Sequence, residues 1–405
     1  MPEDPSRKKR PRIAALASIY RRYSHAQHIL DRFLWGYGWG TRHHHPPMDV
    51  VSLHVDQVGH DDLSRGRAAE FPLLNIYPSV KEALTCGGEK LAVDGVLLIS
   101  EHGRYRVNQK GQKLFPRYEW FQEIIDVYRK SGKTAPVFND KHLSWNWDWA
   151  QEMVTTAREM DFALIAGSSL PWGPRMPPVD LPFGAEVEEA LCLGAGRSDH
   201  TDFHSLEIIQ CMVERRRGGE TGVVAVQAIR GKAILDAMSA GSWAAGGWDP
   251  RLFEACLCRS HRGTPSREGF GHVYPDAKEI AAVLTNEPYA YRIEYADGLK
   301  ATLLHLPGLV TDRTFAARLK GRPEPLSTLF YSQPMDLCNF FSAQIHAIEK
   351  VFLTGKPIQP VERTLLTTGL TAAGVESLWR GQKRIETPHL AVRYHPPEPS
   401  MFRRT

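Results

Sequence analysis

Between residues 12 and 168 the apolar positions alternate between two spacings. Short, nearly continuous apolar runs read as strands: Ile13–Ile19, MDVVSLHVD (48–56), VDGVLLIS (93–100), APVFND (135–140) and FALIAGSS (162–169). Runs this unbroken suit strands covered on both faces, as in a parallel sheet. Between them the spacing becomes helical. Ser24–Trp35 can place His25, Ile29, Phe33 and Leu34 on one face, and PSVKEAL (78–84) opens on Ser79 as a natural N-cap. YEWFQEIIDVYRKSG (118–132) stops at Gly132, and WDWAQEMVTTAREMD (147–161) fills the last interval. Strand and helix in strict alternation predict an α/β fold with a doubly wound, Rossmann-like parallel sheet.

The pattern changes after Ser169. The proline-rich stretch LPWGPRMPPVDLPFG (170–184) marks a boundary, and beyond it a helix (HSLEIIQCMVERRRGG, 204–219) is mixed with alternating strands. YAYRIEYADGLKATLLHLPG (289–308) reads as two strands around an Asp297-Gly298 turn. The expected organisation is a basic arm over 1–11, a dinucleotide-binding type of domain over 12–168, and an α+β domain over 169–405. The latter carries a large, mostly antiparallel sheet and a last helix free to pack back on the first domain.

Composition narrows the function classes. With 405 residues, 42% hydrophobic and 24% charged, the chain resembles a soluble globular protein with a sizeable core. The net charge of +4 owes much to the SRKKRPR arm, so it gives no case for nucleic acid. No run reaches the ~20 apolar residues of a membrane span. The six cysteines are scattered without a disulfide or zinc spacing, which fits reduced thiols and a cytoplasmic location.

Three stretches carry a resemblance: PVFNDKHLSWNWDWAQEMVTTAREMDFALIAGSS (136–169), DHTDFHSLE (199–207) and FLTGKPIQPVERTLLTTGLTAAGVESLWRGQKRIE (352–386). Together they resemble the Gfo/Idh/MocA family of sugar-type oxidoreductases. The resemblance implies NAD or NADP as cofactor, a carbohydrate-like small molecule as substrate, and a homo-oligomer formed through the C-terminal sheet. Where that family has Glu-Lys-Pro, this chain has Asp140-Lys141-His142. Lys141 would then contact the nicotinamide and hold positive charge beside the reacting hydroxyl, with Asp140 next to it also at the cofactor. His204 matches the catalytic histidine. The family's acid four positions earlier is here His200, which leaves Asp199 and Asp202 as candidates for its role.

The expected nucleotide turn departs further. Laid on G-x-G-x-x-G, the sequence puts Ala17, Ile19 and Arg22 in the glycine positions, so Ile19 crowds the approach of a pyrophosphate. Ser18, Tyr20, Arg21 and Arg22 would line the turn, with the two arginines meeting phosphate by charge. Asp56 ends the second strand, where an acid reads the ribose. Ser100, Glu101 and His102 end the third, where the family has a threonine-proline turn against the cofactor. A Glu-His pair there suits acid–base chemistry, and the insertion GRYRVNQKGQKLFPR (103–117) can wall a site.

Two other readings share this cleft. One is non-redox lyase, hydratase or isomerase chemistry, assisted by a divalent metal on His200, His204 and Glu207, which fall on one helix face. The other is a non-catalytic binding protein. The run His43-His44-His45 reads as a solvated loop unless its side chains converge with others. Of the closely spaced Trp145, Trp147 and Trp149, one or two are expected in the core.

Overall fold

The computed structural model describes residues 10–196, 199–263, 275–332 and 339–404, and omits the side chain of His200. The first half runs β1 (Arg12–Ala17), α1 (His25–Trp35), a hairpin of β2 (Tyr37–Trp39) and β3 (Arg42–His44), β4 (Asp49–Val55), α2 (Ser64–Glu70), β5 (Asn75–Ile76) and α3 (Val80–Thr85). It continues through β6 (Gly95–Ile99), α4 (Arg117–Ser131), β7 (Val137–Asp140), α5 (Trp147–Glu159) and β8 (Leu164–Gly167). Six of these strands form a parallel sheet in the order β5-β4-β1-β6-β7-β8. The chain leaves β1 toward β4 and β5, then returns on the other side to β6. That reversal opens a crevice beyond the carboxyl ends of the strands.

The second half runs β9 (Arg175–Met176), β10 (Val187–Gly194), α6 (Asp199–Val213), β11 (Val223–Arg230), α7 (Lys232–Ala240), α8 (Pro250–Leu257) and α9 (Ala277–Val283). After these come β12 (Tyr289–Tyr295), β13 (Lys300–His305), β14 (Arg313–Leu319), β15 (Leu326–Phe330), α10 (Phe341–Thr354), α11 (Glu362–Trp379) and β16 (Ile385–Glu386). Its eight-stranded sheet has the order β16-β11-β12-β13-β10-β14-β15-β9, antiparallel except where β10 meets β13. The α/β architecture expected from the periodicity is therefore the observed one. Among the described residues no helix is long and apolar enough to cross a membrane.

Local chemistry explains the boundaries. Ser24 and Ser79 each accept a hydrogen bond from a first-turn N–H of their helices, and Gly132 closes α4 in the left-handed region. β1 ends at Ala17, two residues short of the expected end, because the next residues leave the sheet. Ser18 N–H bonds to Ile99 O at 3.2 Å, and Leu63 N–H bonds back to Tyr20 O at 2.8 Å. The helix read through DHTDFHSLE and the residues after it runs from Asp199 to Val213.

Two late helices tie the halves together. Ile345, Ile348, Val351 and Phe352 of α10 join the core cluster that contains Ile13, Ile29 and Leu30. In α11, glycines replace side chains where the helix meets its neighbours. A Cβ on Gly374 would lie 2.1 Å from the Tyr291 ring, and one on Gly369 would lie 2.7 Å from Trp147. Residues 1–9 of the basic arm lie outside the described residues.

Candidate active site

Lys141 follows β7 with φ of +65°, a conformation that a side-chain-bearing residue keeps only when its surroundings enforce it. Its N–H bonds to Gly167 O at 3.2 Å, anchoring the turn on the end of β8. This aims the ammonium across the sheet edge to α6, where Nζ lies 2.9 Å from His204 Nε2. An ammonium has only protons to give, so Nε2 is the acceptor. The ring's remaining proton then sits on Nδ1, which donates to Ser168 Oγ at 2.6 Å. Leu170 N–H bonds to the same Oγ at 3.1 Å and fixes it. His204 is thus held as a neutral imidazole with its lone pair facing Lys141.

Beneath this pair lies a buried ionic cluster. Glu101 Oε1 is 3.6 Å from Lys141 Nζ, and Glu101 Oε2 accepts from Arg117 Nη2 at 2.6 Å. Arg117, at the start of α4, is fully buried and also contacts His142 Nε2 at 3.1 Å. Burial alone would raise the Glu101 carboxyl, but Lys141 and Arg117 outweigh it and hold the group below its ordinary value. Asp140 has the opposite balance. Burial pushes its carboxyl up to about 6 despite Lys141 and Arg117, and His25 Nδ1 lies 2.7 Å from its Oδ2. His25, His28 and His102 gather next to it. Burial keeps all three imidazoles neutral, holding His28 and His102 down to about 4.

The structure divides the acids of α6. Asp202 lies on the helix face opposite His204 and is clamped beneath the large sheet. It accepts hydrogen bonds from Tyr289 and, at 2.8 Å, from Tyr291, with His305 Nδ1 3.4 Å away. It therefore does not stand in for the acid expected beside His204. Asp199 lines a cleft of about 750 Å³ together with Lys110, Arg230, Tyr289, Tyr291 and Trp379. The side chain of His200 lies outside the described residues. Glu207 turns away from His204: its Oε1 accepts from Thr367 Oγ1 at 2.6 Å and its Oε2 faces Ser168 N–H at 3.4 Å. Both His204 nitrogens are thus engaged by Lys141 and Ser168, and the Glu207 carboxylate is bonded to Thr367 and Ser168.

The nucleotide turn is also rebuilt. Seven residues, 18–24, separate β1 from α1. Ser18 is buried, its Oγ donating to Glu101 O at 2.6 Å, and Tyr20 is buried with its hydroxyl on Asp31. The Arg21 backbone pairs with that of Asp62 and its guanidinium lies 3.8 Å from Asp61, whereas Arg22 stays exposed against the Tyr23 ring. Asp56 reaches the expected strand end, but Tyr105 of the insertion donates to its Oδ2 at 2.7 Å. Ser100 is buried at the end of β6. An open crevice of about 560 Å³ remains among Ile19, Arg21, Gln57, Gly59, Gly103 and Arg104.

No protein-family model and no curated protein matches the sequence. Solved structures do match the fold. GenD2 from gentamicin A biosynthesis, in complex with NAD, superposes with a TM-score of 0.56 at 11% identity, covering 95% of this chain and 99% of that one. Myo-inositol dehydrogenase from Lactobacillus casei, in complex with NAD(H) and myo-inositol, gives 0.54 at 10% identity over 93% and 97%. This chain shares the fold of these structures. Biliverdin reductase from Synechocystis sp. PCC 6803, with biliverdin and NADP+, shares it at 0.51 and 14% identity, over 90% and 98%. The fold implied by the Gfo/Idh/MocA resemblance is thus the fold of the protein.

Sequence reasoning missed three members of the site. Arg117 looked like the end of an insertion, His25 like one residue of a helix face, and Ser168 like the tail of a strand. Their common signal was position: each lies at the carboxyl edge of the sheet or the start of the helix after it.

Proposed function

We propose that the protein is an NAD(P)-dependent oxidoreductase acting on a hydroxyl of a sugar, cyclitol or related molecule. The observation that carries the proposal is the 2.9 Å contact between Lys141 Nζ and His204 Nε2 at the carboxyl edge of the parallel sheet. A substrate hydroxyl entering between the two atoms passes its proton to His204 Nε2, and Lys141 keeps its charge against the developing alkoxide. Ser168 holds the imidazole in the tautomer this requires. Glu101, flanked by Arg117, stands 3.6 Å from the lysine as its counter-charge.

Residues at the crevice fit a nicotinamide dinucleotide, though with altered recognition. Arg21 and Arg104 offer cationic groups to phosphates in place of a glycine turn, and Gly59 and Gly103 permit close approach. A dinucleotide held by these residues would supply the hydride acceptor or donor for the reaction. Calorimetric titration with NAD and with NADP tests this half of the proposal. Saturable binding of one of them, weakened in Arg21→Ala, supports it; absence of heat with both at ~1 mM removes the cofactor and the redox reading with it.

A further inference from the structure

The histidine run before β4, unused by the reaction, converges with a second helix. His44, on β3, points into the face of α10 that carries His346 and Glu349, residues three apart and hence neighbours on that face. One donor atom from each of the three lies within 4.8 Å of the others. His44 Nε2 is 2.8 Å from Glu349 Oε2. Tyr37, on the paired strand β2, donates its hydroxyl to the same Oε2 at 3.1 Å and lies 3.2 Å from His346 Nδ1.

We infer that His44, His346 and Glu349 form a zinc site that fastens the β2–β3 hairpin onto α10. The donor set is two imidazoles and a carboxylate, which suits Zn2+ better than the all-oxygen preference of Ca2+ or Mg2+. Charge argues the same way. Glu349 is only 5% exposed, and among the described residues its ion-pair partner is His44 alone, a group charged only when protonated. A divalent ion supplies the missing positive charge. Donors on a tetrahedral zinc ion stand ~3.3 Å apart, so the ligands need shift by only about an ångström or so. His44 must carry its proton on Nδ1 to offer Nε2, which it reaches by tautomer exchange within the neutral ring.

The surroundings supply the outer shell and the entry path. Tyr37 holds the carboxylate, and Trp39 stacks on the His346 ring at 4.1 Å between centroids, limiting its rotation. His346 also lines an open cavity of about 600 Å³ with Trp39, Trp172 and Lys350, through which the ion and a fourth, water ligand have access. His43 and His45 stay out: His43 bonds to Trp35 O at 2.6 Å and stacks edge-on against His45 at the surface.

The test uses the full chain, stripped of metal with a chelator and checked for folding by circular dichroism. It is titrated with ZnCl2 by calorimetry, and with CoCl2 by visible absorption. One Zn2+ per chain is expected, with the intense visible bands of tetrahedral Co2+. Binding should fall at least ~10-fold in His346→Ala and in Glu349→Gln, and by about 10-fold in Tyr37→Phe. Glu349→Gln keeps the size of the buried group and guards against misfolding of the alanine variant. Zn2+ should also raise the melting temperature of the wild type and leave that of Glu349→Gln unmoved. No stoichiometric binding, or binding unchanged in both ligand variants, would overturn the site. The three side chains would then be a metal-free hydrogen-bonded clasp.

Discussion

Replacing Glu101 by glutamine isolates the electrostatic design of the site. The carboxylate is the shared counter-charge of two cations whose side chains are 0% and 5% exposed, at 2.6 and 3.6 Å. At an effective dielectric of about 20, a charge pair near 4 Å interacts by ~4 kcal/mol, and removing one partner of a buried pair typically costs ~3–5 kcal/mol. The amide of glutamine still accepts a hydrogen bond, so the expected loss in Glu101→Gln is near ~3 kcal/mol. Urea denaturation followed by tryptophan fluorescence measures it as a lowered midpoint. The double variant Glu101→Gln/Arg117→Met should return at least half of the loss, because only Lys141 then remains without its counter-charge. A single-variant loss below ~1 kcal/mol, or no recovery in the double variant, would refute the claim that Glu101 holds the two cations in place.

Other consequences are open to direct measurement. Burial raises the Glu207 carboxyl to about 7, so between its unfolded value and that point the native state holds a proton that the unfolded chain has lost. Stability should therefore fall as pH rises through this window, by on the order of 3 kcal/mol, and Glu207→Gln should flatten the dependence; equal urea midpoints at pH 5 and pH 8 would speak against it. Tyr105→Phe releases Asp56 Oδ2 for a ribose hydroxyl and should tighten dinucleotide binding several-fold by calorimetry, with no change meaning that Asp56 does not face the nucleotide. Ile19→Gly should act in the same direction if the β-branched side chain obstructs the crevice. Asp202→Asn leaves two buried tyrosine hydroxyls with a weaker acceptor and should cost ~1.5–3 kcal/mol while sparing kcat; a large drop in kcat in folded protein would return Asp202 to the reaction.

The sheet of the first half was legible because its strands are short and apolar, and its helices carry their own stops. Ser24, Ser79 and Gly132 behave in the structure as local sequence chemistry requires. The Asp297-Gly298 turn likewise joins β12 to β13. The short elements of both halves were not legible. The hairpin at residues 37–44 lies in a Gly-, Trp- and His-rich stretch, and β5, β9 and β16 have two residues each, too few for a period.

The site was half visible. Lys141 and His204 were singled out because strand end and helix face were both readable, and the two lie 2.9 Å apart. The roles of Asp202, Glu207 and Tyr105 depended on which way helix and loop turn. Residue spacing fixes i,i+4 neighbours but not which face meets the sheet, so Asp202 reads as a catalytic neighbour in sequence and sits under Tyr289 and Tyr291 in space. The convergence of His44 with α10 depends on residues some 300 positions apart, which no local pattern could show.

The central claim is that Lys141 and His204 manage the proton while a nicotinamide carries the hydride. The most direct measurement is the absorbance of reduced nicotinamide when wild-type protein, NAD or NADP, and a panel of cyclitols and sugars are combined, with Lys141→Met run in parallel. The account predicts turnover of at least one hydroxyl substrate in the wild type and a ~10²–10⁴-fold lower kcat in Lys141→Met at unchanged nucleotide affinity. Wild-type rates in Lys141→Met, or no reduced nicotinamide from any substrate while the nucleotide is bound, would contradict it.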